Sequence, residues 1–397
     1  MDYLIDSFDF KGKKAIIRVD FNVPIKEGEI TDDTRIRAAL PTIKKVLQSE
    51  GSAIIMSHLG RPEGREEKYS LSQVQGALED MLGVRVTFAS DCIGDEVRLK
   101  AEQLKEGEVL LLENLRYHSE EKAGDPDFAQ QLAALADVYI NDAFGTAHRA
   151  HASTAVIADH IEASLPGYLL ENEVRNAQKV LDNPERPFTA IVGGAKVSSK
   201  ISVLENLISK VDHLIIGGGM AYTFIKAQGG DVGSSLVEDE FLQQARDIMK
   251  KASEESTSLH LPKDSVVADA FSNDAQHKVV PSEKIDSGCM GLDIGPEAID
   301  EFSSVIQESG TILWNGPMGV FEMENFSKGT LAIAKAVAKA TSERSAYSLI
   351  GGGDSVAAIN AFGLADRVSY ISTGGGAMLE LLEGKTLPGV AAVMPQG

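Results

Sequence analysis

Cysteine is almost missing from this chain, with two among 397 residues. Cys92 and Cys289 are too far apart in sequence to form a CxxC redox or metal pair. A disulfide-stapled secreted scaffold is thereby excluded, and isolated thiols fit a reducing cytosol. Aromatic residues make up only 6%. No apolar run reaches about 18 residues, the minimum for a membrane-spanning helix. The opening MDYLIDSFDFKGKK has no basic-then-apolar signal pattern. Positive charge is scarce too: 38 Lys and Arg face 59 Asp and Glu, for a net −21. That field opposes binding to nucleic acid or an anionic membrane over the surface as a whole. It leaves room for a local basic site that takes an anionic small molecule. Three signatures are also missing: GxxxxGK followed by Ser or Thr, GxGxxG, and GxSxG. Their absence excludes a P-loop NTPase, a standard dinucleotide dehydrogenase and a serine-nucleophile elbow. A cytoplasmic protein with neither nucleic-acid nor membrane partner is expected.

Glycine is plentiful, at 37 residues, and hydrophobic residues reach 43%. Short β-branched runs recur at 15–23, 53–60, 109–117 and 138–145, then at 189–194, 213–220, 266–271, 311–319, 348–355 and 370–377. They lack strict polar alternation, which suits strands buried on both faces of parallel sheets. TRIRAALPTIKKVLQSEG, DFAQQLAALA and SKGTLAIAKAVAKATSE between them read as amphipathic helices. Each run ends in a polar or glycine cluster, and ligands of open parallel sheets bind beyond those edges. Any one glycine ending could be a plain turn; ten in series point to sites.

The endings differ by half. Before residue 173 lie nine of the fourteen Arg and five of the eight His; every adjacent-glycine pair lies after it. The segment 164–187 reads as a helical connector starting near Pro166 and stopped by Asn183-Pro184. In the first half Arg18, Asp20, Asn22, His58, Arg61, Arg116 and Asp142 fall at strand edges, while Arg35, His148, Arg149 and His151 fall in loops and helix starts. Converging guanidinium forks suit phosphate or carboxylate. Arg37, Arg65, Arg85 and Arg98 read as structural, Arg18 as an ion pair with Asp20, and Arg35 as either functional or paired with Asp32 or Asp33. His148 and His151 have no evident third ligand, so a metal is not expected there; His118 and His160 read as surface residues. In the second half the glycine loops would present backbone N–H groups to an anion. Lys196 and Lys200 are spaced to share one helical face after Gly193-Gly194, and Asp354 follows Gly351–Gly353 where a carboxylate could hold nucleotide-bound Mg²⁺. Trp314-Asn315-Gly316-Pro317 and Glu322 form a further polar edge.

RVDFNVP (18–24), SHLGRP (57–62), LENLRYH (112–118), NDAFGTAHRAHAS (141–153), GGAKVSSK (193–200), WNGPMGVFE (314–322), GGGDS (351–355) and STGGGA (372–377) together resemble the phosphoglycerate kinase family, in its order and over nearly the whole chain. The resemblance implies reversible phosphoryl transfer between 1,3-bisphosphoglycerate and ADP, giving 3-phosphoglycerate and ATP, with Mg²⁺. It implies two Rossmann-like doubly wound parallel-sheet domains, joined by a helical hinge with a cleft between them. Those domains would be 1–173 for 3-phosphoglycerate and 174–378 for nucleotide, with a tail, 379–397, returning to the first domain. Direct in-line transfer after domain closure, by a monomer, is expected. The implied substrate residues are Asp20, Phe21, Asn22, Arg35, His58, Leu59, Gly60, Arg61, Arg116 and Arg149. The implied nucleotide residues are Lys200, Gly217, Gly218, Gly291, Leu292, Pro317, Glu322 and Gly351, Gly352, Gly353, Asp354 and Ser355, with Asp354 also toward the metal. Arg35, Lys196, Lys200, Gly352 and Gly375 are implied in catalysis. The chain departs at Ser199, where the family often carries Asp. The residues alone leave two other classes open, a two-lobed anion-binding protein and an atypical NAD-dependent oxidoreductase.

Overall fold

Ile16 and Ile17 are neighbours on one strand and both are fully buried. Successive side chains on a strand point to opposite faces, so both faces of that sheet are covered. A computed structural model describes residues 3–394, which fall into two units, 3–174 with 386–394, and 175–385. The division falls within the helix Tyr168–Leu181, and residues 379–385 lie with the second unit.

The first unit carries β1 (Lys14–Val19), β2 (Ser52–Met56), β3 (Val86–Phe88), β4 (Val109–Leu111), β5 (Val138–Asp142) and β6 (Ala163–Pro166), in the sheet order β3-β4-β2-β1-β5-β6. All its pairings are parallel. The helix Thr34–Gln48 buries Ile36, Ala39, Ile43 and Val46 in the same core as Ile17 and Ile55, the i, i+3, i+4 stripe of an amphipathic helix. Asp142, at the end of β5, accepts through Oδ1 from Leu169 N (2.9 Å) and Leu170 N (3.3 Å), anchoring the start of the helix Tyr168–Leu181. In the tail, Gly389 N donates to the Ala147 carbonyl and Asn141 Nδ2 donates to the Gly389 carbonyl. A Cβ at Gly389 would come within 3.0 Å of Ala147, so the approach suits glycine.

The second unit carries β7 (Phe188–Val192), β8 (His213–Ile216), β9 (Ser258–His260), β10 (Asp264–Ala268), β11 (His277–Pro281), β12 (Met290–Ile294), β13 (Thr311–Asn315), β14 (Tyr347–Gly351) and β15 (Tyr370–Ile371). Its main sheet, β9-β8-β7-β13-β14-β15, is again parallel. The run at 266–271 departs from the expected parallel sheets, because β10 pairs antiparallel with both β11 and β12. The edge strands β3, β6, β9 and β15 have two to four residues each, too few for a periodic signal. Trp314, Phe302 and Ile333 anchor the core on one face of the main sheet.

Candidate active site

Beyond the carboxyl ends of β1, β2 and β5, the first unit gathers its cations. Arg18 is 1% exposed; its Nε donates to Ser153 Oγ at 2.9 Å, its Nη1 to the Val19 carbonyl, and its Nη2 lies 3.1 Å from His58 Nδ1. The expected Arg18–Asp20 pair is replaced by another: Asp20 Oδ2 takes Arg35 Nη1 at 3.0 Å, and the same nitrogen donates to the Asn22 carbonyl. Arg35 therefore reaches across to the β1 edge, while Asp33 holds Arg37 at 2.7 Å and Asp32 accepts from Thr34 N. Asn22 Oδ1 accepts from Gly60 N, and Arg116 Nη1 donates to the Gly60 carbonyl at 2.7 Å. Gly60 has φ +64°, and a Cβ there would strike the Tyr69 ring at 2.3 Å. Arg149 Nε lies 3.2 Å from His148 Nε2. Arg61 is exposed. Phe21 and Leu59 turn their side chains into the core, which leaves their backbone for any ligand.

The electrostatics show how crowded these cations are. Burial, then Arg18, Arg116, Arg35 and Arg149, hold His58 well below the usual imidazole range. Burial, then Arg149, Arg18 and Arg116, bring His151 down to about 4. Burial, then Arg18 and Arg149, lower even the Arg116 guanidinium to about 10. Four arginines acting on the same imidazole, with both histidines kept neutral, make a local field for a multiply charged anion. His118 is not a free surface group: its Nε2 meets Asp91 Oδ1 at 2.7 Å. Asp91, Cys92 and His118 are the one Asp/Cys/His group of metal-ligating reach among the described residues. The Asp91–His118 contact is closer than the roughly 3.3 Å between two tetrahedral zinc ligands. Arg65 also lies 3.8 Å from the same carboxylate, so the group is a closed ion-pair cluster.

In the second unit two adjoining cavities share Gly194, Ala195 and Asp354. The larger, of about 430 Å³, is walled by Tyr222, Leu236, Phe271, Leu292, Met318 and Val320, with Gly291, Pro317 and Glu322 also on its lining. Such a largely apolar wall suits a heterocycle. The smaller, of about 310 Å³, presents Lys196, Lys200, Asn315 and Gly352 to Ser355. The glycines divide into two kinds. Gly193, Gly194, Gly217 and Gly218 spend their N–H groups on the carbonyls of Asn315, Pro317, Val192 and Met318. A Cβ at Gly193, Gly217 or Gly218 would meet an atom at 2.2–2.6 Å, so these three serve close packing, whereas Gly194 has open space around it and instead needs its φ of +109°. The start of the helix Gly353–Ala361 is different: its first N–H groups have no intrahelical acceptor and could face an anion.

Lys196 and Lys200 do not share an α-helical face. Lys196 precedes the 3₁₀ turn Val197–Ser199, and Lys200 precedes the helix Ile201–Ile208. Both nonetheless line the smaller cavity. Burial lowers the Lys200 ammonium while Asp354 and then Glu383 oppose this, and its Nζ donates to Asn315 Oδ1. Asn315 is buried, its Nδ2 has no hydrogen-bond partner, and that atom faces Gly352. It is a donor that the WNGP motif placed at the edge without a role. Ser355 is buried, and its hydroxyl accepts from Gly316 N at 2.5 Å, so that side chain is committed to the fold. Gly375, with φ +49°, starts the helix Gly376–Leu382. Ser199 donates its hydroxyl to the Lys196 carbonyl.

The family model described as phosphoglycerate kinase matches residues 5–385. The chain belongs to the phosphoglycerate kinase family. It is 54% identical to a phosphoglycerate kinase of Porphyromonas gingivalis over 98% of this chain and 99% of that one. It is likewise 54% identical to phosphoglycerate kinase 1, chloroplastic, of Arabidopsis thaliana, over 98% of this chain and 81% of that one. The solved phosphoglycerate kinase of Coxiella burnetii superposes with a TM-score of 0.92 at 44% identity, covering 98% of each chain. That of Pyrococcus horikoshii gives 0.81 at 30% identity, over 99% and 98%. Membership of the phosphoglycerate kinase family sets aside the anion-binding and NAD-dependent readings.

Proposed function

We propose that the arginine cluster of the first unit holds the three-carbon phospho-acid and the glycine-lined cavities of the second hold the nucleotide. The reaction is that of the phosphoglycerate kinase family, reversible phosphoryl transfer between 1,3-bisphosphoglycerate and ADP, a glycolytic step that this chain carries out. The observation that carries the placement is the set of four arginines acting on neutral His58 in one unit, against an apolar cavity opening on a helix start in the other.

Transfer between two anions needs no side-chain nucleophile. The transferred group spreads its charge over three equatorial oxygens, so positioning and neutralisation do most of the work. Arg116 and Arg149 grip the acid. Arg35, exposed enough to leave Asp20, supplies charge to the group in flight. Lys200 and the 353–355 N–H groups take the nucleotide phosphates, with Asn315 Nδ2 as a further donor, while Lys196, Gly352 and Gly375 border the transfer path. The Asp354 carboxylate lines both cavities and acts on Lys200, and one carboxylate beside phosphate donors fits Mg²⁺. When bound, Mg²⁺ supplies charge neutralisation on the phosphates. In-line transfer requires the two ligands to meet, which in our reading is domain closure; an acyl phosphate also calls for exclusion of water. Our reading takes the chain as a monomer, each proposed ligand site being drawn from residues of one chain, and as cytoplasmic, in keeping with two free cysteines. No described helix is long and apolar enough to cross a membrane. Coupled turnover of 3-phosphoglycerate with ATP and Mg²⁺ tests this directly; turnover unaffected by Arg116→Ala or Lys200→Ala would refute the placement.

A further inference from the structure

Glu121 is a carboxylate that no part of the chemistry above uses, yet it is only 1% exposed. It sits in the short helix Ser119–Ala123 and points both oxygens at one residue. Its Oε2 accepts from Ser153 N at 3.0 Å and its Oε1 from Ser153 Oγ at 2.6 Å. A hydroxyl has a single proton, and Ser153 gives it to Glu121. The Ser153 oxygen can then only accept in its other contact, and the partner there is Arg18 Nε at 2.9 Å. Arg18 is a pure donor, so its Nη2, 3.1 Å from His58 Nδ1, requires that nitrogen to be unprotonated. A neutral His58 must then carry its proton on Nε2, the nitrogen not engaged by Arg18.

We propose that Glu121, acting through Ser153, is a positioning residue that fixes Arg18 and thereby sets His58 as an Nε2–H donor for the anionic substrate. The inference rests on the phospho-acid being held at this face. Glu121 also supplies a buried negative charge beside the cluster. Asp20, the other carboxylate acting there, gives Oδ2 to Arg35, and its Oδ1 stands 3.9 Å from His58 Nδ1, beyond hydrogen-bond reach. His151 Nδ1 lies 3.8 Å from Glu121 Oε1, and Glu121 opposes the lowering of Arg116. Rotamer freedom in the long Arg18 side chain is what the chain of bonds removes before substrate arrives.

The direct test is ¹⁵N NMR of His58 in the unmodified chain, where a single Nε2–H tautomer is expected and an Nδ1–H tautomer would overturn the proposal. Ser153→Ala and Glu121→Gln should then raise KM for 3-phosphoglycerate about tenfold, the scale of one lost charge-assisted hydrogen bond. The KM for ATP should stay unchanged, and His58 should show mixed tautomers. Ser153→Thr, which retains the bridging hydroxyl, should restore most of the affinity. Folded variants with wild-type KM and an unaltered His58 spectrum would overturn the relay. Arg116→Ala separates the two levels: if it raises KM and the relay variants do not, only the relay fails, whereas an unchanged KM there fails the placement of the substrate itself.

Discussion

Arg35 Nη1 and Asp20 Oδ2 meet at 3.0 Å, so the first turn of the helix Thr34–Gln48 is tied to the loop after β1. The Arg35 side chain is 44% exposed, and such a pair is worth about 0–1 kcal/mol. Arg35→Ala should therefore leave the melting temperature almost unchanged. In phosphoryl transfer an arginine acting on the group in flight contributes about 10³–10⁵ in turnover. A loss of at least about 10²-fold in kcat is expected, with Arg35→Lys recovering only part because a point charge replaces a fork. Near-normal kcat with earlier melting would make the pair purely structural.

Asp354→Ala should weaken use of Mg·nucleotide and leave 3-phosphoglycerate binding nearly intact. The Mg²⁺ dependence of the initial rate reads this out. A titration curve superimposable on that of the unmodified chain would remove Asp354 from the metal.

The depressed histidines link acidity to stability. His151 sits at about 4 in the folded chain against an ordinary 6.5. The unfolded chain thus takes up a proton that the folded one refuses, and stability is lost as pH falls from 6.5 toward 4. His151→Gln abolishes that contribution, so the variant should lose less protection between pH 7 and pH 5. Hydrogen exchange over residues 138–157 measures it; parallel losses in both proteins would contradict the assignment.

Asp293 shifts the other way. Burial pushes it up to about 7, although Gly329 N and Ile294 N donate to its oxygens. The folded chain keeps a proton that the unfolded one releases near 3.8, so this stabilising contribution declines as pH rises from about 4 to about 7. Asp293→Asn does not titrate, so the parent's stability relative to this variant should fall by about 1–4 kcal/mol from pH 5 to pH 8. Urea unfolding followed at Trp314, in the same unit, checks the sign; a constant gap would contradict it.

Several of these groups were legible in the sequence, and the reason they were is local. RVDFNVP and GGGDS put strand, turn and polar side chain within a few positions, so Asp20 and Asn22 just past a strand and Asp354 at a helix start could be located from short-range pattern alone. The partners could not. Arg35 lies among Asp32 and Asp33, and proximity in sequence favoured them; the helix start instead directs it 15 residues back to Asp20. Glu121 and Ser153 are 32 residues apart, in segments with no periodic mark of burial. The glycine pairs at 193–194 and 217–218 looked like anion donors because sequence shows a missing side chain but not where the freed N–H goes. The parallel sheets were evident from two-sided apolar runs, whereas β10 presents a similar run and pairs antiparallel. Strand direction is set by connections, not by composition.

The division of ligands between the two units is best tested by titration calorimetry on the intact chain and on Arg116→Ala, each with 3-phosphoglycerate and, separately, with ADP. Arg116 donates to the Gly60 carbonyl in the first unit and should serve the phospho-acid alone. The expected result is a loss of about tenfold or more in 3-phosphoglycerate affinity with ADP binding unchanged. Unaltered 3-phosphoglycerate binding, or a matching loss for ADP, would contradict it.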